Sequence, residues 1–196
     1  MRFAAIGESW KLNKQASIDA LWRDWQAVVS GTLPTEIESG DPNYVGELAK
    51  FLLNTGPASI NRMRDDLPKA SAYTVKLVMW RLPMIRNYHG NDQEKHKKVI
   101  AWRATPEGMA VTRLLITASN DQRRQKKDSA SFPEYRVCDQ AALELRKLLK
   151  DAPIAPAPPR RRPEDPEDRE AAQNELDREF NEYIPLIRNL AGQLLK

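Results

Sequence analysis

The sequence predicts a mainly α fold with one small β-hairpin, and three observations carry that reading. Apolar residues recur at helical spacing in short stretches set apart by prolines and glycines. The pattern becomes strand-like between Pro83 and Thr105, and positive charge gathers in the middle third of the chain.

The first helix is read over residues 17–29, where Ile18, Leu21, Trp22, Trp25 and Val28 share one stripe and Ser17 stands as N-cap. Its tryptophans lie on that stripe, which suits core or subunit contact better than ligand stacking. A loop occupies 30–41. Asp41-Pro42 opens a second helix with Val45, Leu48, Ala49 and Leu52 inward, ended by Asn54-Thr55-Gly56-Pro57. A third, over 58–66, turns Ile60 and Met63 inward and stops before Pro68. Ser71 caps a fourth over 72–82, closed by Pro83.

That fourth helix has two apolar faces. Val75, Val78, Met79 and Leu82 form one, while Tyr73, Leu77 and Trp80 form the other, flanked by Lys76 and Arg81. The second face fits a DNA-facing surface, a subunit contact or burial on both sides, and the sequence leaves all three open.

After Pro83, residues 84–88 (MIRNY) read as a strand, 89–92 as a turn and 97–104 (KKVIAWRA) as a second strand. Thr105-Pro106-Glu107-Gly108 then starts a helix with threonine as N-cap, proline at N1 and an acid in the first turn. Val111, Leu114, Leu115 and Ala118 are its inward residues. A polar connector follows over 120–133, then a helix over 134–150 with Val137, Ala141, Leu145 and Leu148 inward. Residues 151–168 are dense in proline and read as an extended, semi-rigid linker.

From Arg169 the chain turns helical again, with Leu176, Phe180, Tyr183, Ile187, Leu190 and Leu194 along a heptad-like seam. Pro185 interrupts the seam and argues for two shorter pieces. Two arrangements stay open for this segment: an interaction arm decoupled by the linker, or a helix folded back on its own core.

Three short helices, a hairpin and a capped helix are, in that order, the parts of a winged helix-turn-helix. Over residues 101–108, Ala-Trp-Arg-Ala-Thr-Pro-Glu-Gly, the sequence resembles the MarR-type winged-helix regulators, whose second wing strand runs into a Thr-Pro-Glu-Gly helix start. The resemblance spans about residues 43–118. It implies a homodimer on a near-palindromic site, with a recognition helix in the major groove and wings on the flanking DNA. The expected organisation is then an N-terminal helical arm (1–40), a winged domain (41–120), a connector and helix (121–150), the linker (151–168) and a C-terminal amphipathic helix (169–196).

Residues 57–128 hold fifteen Lys and Arg against seven Asp and Glu, while both flanks are weakly acidic. A basic centre between acidic arms points to a polyanion. The expected function is double-stranded DNA binding by a transcriptional regulator, through helix 71–82 and a basic wing at 89–98. The residues placed for it are Arg62 and Arg64 on the preceding helix, Tyr73, Lys76, Trp80 and Arg81 on the reading helix, and Arg86, Lys95, Lys97 and Lys98 in the wing. The competing expectation is a protein-interaction or replication/partition adaptor that docks partners through residues 169–196.

No glycine-rich phosphate loop, nucleophile elbow or HExxH is present, so no enzyme, cofactor or metal is expected. His89 and His96, with Asp92 and Glu94 nearby, make a weak ligand set; Asp65-Asp66 and Glu164-Asp165 fall on a helix end and a linker. With Cys138 alone an internal disulfide is impossible. No apolar run reaches the roughly 20 residues of a membrane span, and a cytoplasmic setting is expected.

Overall fold

The computed structural model describes residues 14–33, 44–82, 93–124, 133–149, 155–159 and 168–195. Among the described residues eight helices run in order: α1 Lys14–Val29, α2 Tyr44–Leu53, α3 Pro57–Asp66, α4 Ala72–Arg81, α5 Gln93–Arg103, α6 Pro106–Ala118, α7 Val137–Leu148 and α8 Arg169–Gln193. No strand occurs among the described residues; Arg124 and Arg136 meet in one isolated bridge.

The expected winged helix-turn-helix is therefore corrected, because the segment read as its second wing strand is helix α5. The cause lies in burial spacing. Val99 and Trp102 are buried while Ile100 and Ala101 are exposed, a three-residue interval that a helix gives and a strand does not. The β-branched pair Val99-Ile100 and Trp102 favour a strand by intrinsic preference, but packing of α5 on α6 and α7 overrides it. The proposed first strand (84–88) and turn (89–92) lie outside the described residues.

The remaining helices follow the periodic pattern and its punctuation. Helix α3 begins with proline at its N-terminus behind Gly56, whose φ of 117° falls where L side chains are strained. Ser71 caps α4 by accepting from the Thr74 amide at 3.1 Å. Helix α7 starts at Val137, later than the sequence suggested, because Arg136 is its N-cap and Asp139 accepts from the Arg136 amide at 2.7 Å. Asp41-Pro42, expected to open α2, lies outside the described residues.

One core unites the helices. α6 packs against α3, α7 and α5, with Val111, Leu114 and Leu115 fully buried, and α2 pairs with α4. Helix α1 closes one side through Leu21, Trp25 and Val28, and the Trp25 indole donates to Asp66 Oδ2 at 2.9 Å. Trp22 and Trp25 are thus spent on the chain's own core, with Arg62 stacked 4.0 Å over the Trp22 ring.

Helix α8 lies on α7 and α6 and buries Leu176, Phe180, Tyr183, Ile184, Ile187 and Ala191 in that core. The fold-back arrangement is the one observed. Pro185 does not split the helix: it sits on the exposed side, where the carbonyl it leaves without an amide partner, that of exposed Asn181, can be hydrated. Polar ties reinforce the seam. Arg124 pairs with Asp177, Gln173 Nε2 donates to the Glu134 carbonyl at 3.1 Å, and Arg136 Nη1 donates to Asn181 Oδ1 at 2.9 Å.

Among the described residues no helix is long and apolar enough to cross a membrane.

Candidate nucleic-acid interface

Helix α4, expected to read DNA, is buried on both faces. Every residue from Thr74 to Met79 is buried, so of the three alternatives for its second apolar face, Leu77 realises burial on both sides. Lys76 points inward and donates from Nζ to the Tyr135 carbonyl at 2.7 Å. Arg81 pairs with Glu47 at 3.1 Å, and it reaches that position across Gly46, where a Cβ would stand 3.0 Å from the guanidinium. Tyr73 is half-buried against the core, which leaves Trp80 as the exposed aromatic of this helix at 46%.

The other expected contacts are scattered. Arg62 covers Trp22, and Arg64 donates to Asp65 Oδ1 and to Asn61 Oδ1 at 3.2 Å, so both guanidinium groups are engaged on the surface of α3. Arg86 lies outside the described residues, and Lys95 lies in α5 with an undescribed side chain. Lys97 and Lys98 are exposed on α5.

The helix that carries these two lysines leads into a tight helical corner. Two residues, Ala104 and Thr105, separate α5 from α6. Thr105 fixes the turn from both sides: its hydroxyl donates to the Trp102 carbonyl at 2.6 Å and accepts from the Gly108 amide at 3.1 Å. Close approach makes glycine necessary at 108, because a Cβ there would sit 2.2 Å from the Trp102 carbonyl oxygen. Arg103 then donates to the Leu148 carbonyl at 2.6 Å, where the negative end of α7 favours a cation. The Thr-Pro-Glu-Gly start is thus a capped helix as its residues require, but it follows a helix.

Sequence reasoning passed over Arg113, which stands exposed on α6. The signal was available: with Val111, Leu114, Leu115 and Ala118 inward, position 113 falls on the outer face. Lys97 and Lys98 on α5 and Arg113 on α6 are thus exposed cations on two helices that pack together, with Glu107 in the first turn of α6 as the acid nearest the corner.

Other chemistry-bearing groups are held for structure. Arg136 is buried against Asp139, with guanidinium to carboxylate distances of 2.8 and 3.0 Å. Burial disfavours its charge, but the hydrogen bonds and charge of Asp139 outweigh this and raise its pKa. Neighbouring Cys138 is fully buried; burial first, then the Asp139 charge, push its thiol up to about 12, which suppresses the nucleophilic thiolate. Among the described residues no three His, Cys, Asp or Glu side chains cluster as metal ligands; His89 lies outside them, and the His96 side chain is undescribed.

No family model, no curated protein and no solved structure matches this chain.

Proposed function

We propose that the protein binds double-stranded DNA through its phosphate backbone, with the α5–α6 corner as the contact surface. The observation that carries this reading is the exposure of Lys97, Lys98 and Arg113 on two helices that pack together within the basic middle third. Cations on helices neutralise phosphate and release condensed counterions, a source of affinity that needs no base readout. Burial of α4 removes the sequence-reading helix that a regulator of the expected kind would use, so the contact proposed here is sequence-tolerant.

The test is fluorescence anisotropy of a labelled random duplex over graded salt, with K97E/K98E/R113E beside the parent chain. The reading requires weaker binding by the variant and a log-log salt slope reduced by about one per lost phosphate contact. Equal affinity and slope would remove the corner from the interface.

A second reading, a protein-interaction scaffold, is favoured by Trp80. An indole nearly half exposed at the end of a buried helix is the kind of anchor that partner proteins cover. The same surface is where we place a homodimer contact, since Trp22 and Trp25 are already buried within the chain. W80A should leave duplex affinity unchanged while abolishing any self-association seen by analytical ultracentrifugation.

A further inference from the structure

The segment Ala155–Pro159 lies as an irregular strap beside α8. Three of its five residues are proline, whose ring holds φ near about −65°, and such runs repeat roughly every three residues. Burial follows that repeat: Pro156 and Pro159 are half-buried, and Ala157 and Pro158 between them are exposed. Arg146 on α7 donates from Nε to the Pro156 carbonyl at 3.2 Å.

Strap and helix do not close on each other. Between them runs an open groove of about 350 Å³, lined on the α8 side by Glu179, Glu182, Tyr183 and Leu186. Those four positions fall on one helical face at three- and four-residue spacing. Leu186 is 54% exposed, and the buried Tyr183 hydroxyl has no hydrogen-bond partner among the described residues.

We propose that this groove is a docking site for an extended proline-rich peptide, and that the strap is its ligand in cis. The strap identifies the occupant, because its prolines line the same groove as an aromatic and an aliphatic side chain, Tyr183 and Leu186, and apolar grooves with an aromatic wall are what recognise such peptides. Carboxylates at Glu179 and Glu182 favour a ligand with a basic flank, as the chain's own sequence has in Arg160-Arg161-Arg162 after Pro159. A ligand in trans must displace the strap, so its apparent affinity is lowered by the fraction of molecules with the strap released. The site uses none of the corner residues and is independent of DNA binding.

The experiment titrates a fluorescent peptide of sequence PIAPAPPRRRP, residues 153–163, into the full chain and into P156A/P159A, with far-UV circular dichroism confirming the fold of each. A version with every proline replaced by alanine controls for charge. The proposal requires the variant to bind the proline peptide at least about tenfold more tightly than the parent chain, requires the alanine peptide to bind at least about tenfold more weakly, and requires L186E in the variant background to abolish binding. Absence of binding to the folded variant, equal affinity in parent and variant, equal affinity for both peptides, or indifference to L186E each overturns it. Should the double variant lose helicity, P159S alone carries the same comparison.

Discussion

Lys76 and Tyr135 stand 59 residues apart, yet the Lys76 ammonium donates a 2.7 Å hydrogen bond to the Tyr135 carbonyl and ties α4 to the turn before α7. A lysine in a basic middle third is here a structural tie. Lys76→Met keeps the aliphatic stem and leaves that carbonyl without this donor, at a cost of about 1–3 kcal/mol. Urea denaturation should show the loss, while duplex affinity of the folded protein stays within twofold. A large loss of affinity with unchanged stability would return Lys76 to the interface.

Why the sequence placed Lys76 outward is instructive. Tyr73, Leu77 and Trp80 opposite Val75, Val78 and Met79 make a helix with two apolar faces, and periodicity cannot say which face a core covers. Lys76, beside the second face, finds its partner at the Tyr135 carbonyl, far along the chain. Helices α1, α3, α6 and α7 were legible because each has a single stripe and most have a cap or a proline stop. Helix α5 was not, since Val99, Ile100 and Trp102 carry strand preference and only contact with α6 and α7 reveals the three-residue spacing. Arg113 is readable from its own helix, since it falls outside the stripe of Val111, Leu114, Leu115 and Ala118.

Two glycines should respond oppositely to alanine. At Gly108 the added Cβ meets the Trp102 carbonyl oxygen at 2.2 Å and the Arg103 Cα at 2.7 Å, backbone atoms that cannot swing away. Gly108→Ala is expected to cost about 2–4 kcal/mol by opening the corner. Nothing lies within 4 Å at Gly192, inside α8, where alanine should stabilise by up to about 1 kcal/mol. Denaturation midpoints of the two variants should move in opposite directions.

Alkaline pH should destabilise the fold. Burial pushes the Cys138 thiol from 9.0 up to about 12 and the Tyr183 phenol from 10.0 up to about 12. Both groups are neutral when protonated, so the folded state holds protons that the unfolded chain releases. Their contribution is therefore whole below about pH 9 and declines as pH rises from 9 towards 12. Tyr183→Phe keeps the ring and removes the unpartnered hydroxyl, and should flatten the decline in denaturation midpoint between pH 8 and 11. Cys138 should resist alkylation in the folded protein at pH 8 and react after unfolding. Rapid labelling of the native thiol would contradict its burial.

Ending the chain after Lys150 distinguishes a helix that merely decorates the core from one that completes it. Truncation removes the buried Leu176, Phe180, Tyr183, Ile184 and Ile187, each contributing roughly 1.5–3 kcal/mol on burial. It also strips Asn181 and the Asp177 carbonyl from Arg136, and Asp177 from Arg124, leaving two guanidinium groups with fewer partners beside newly exposed apolar surface on α6 and α7. The summed loss is on the order of 10 kcal/mol, comparable with the whole stability of an ordinary domain. The truncated chain should therefore lose its cooperative thermal transition and, with it, DNA binding by the α5–α6 corner, which depends on α7 through the Arg103 to Leu148 hydrogen bond. A truncated protein that still unfolds cooperatively near the parent midpoint would restore α8 to the status of an independent arm.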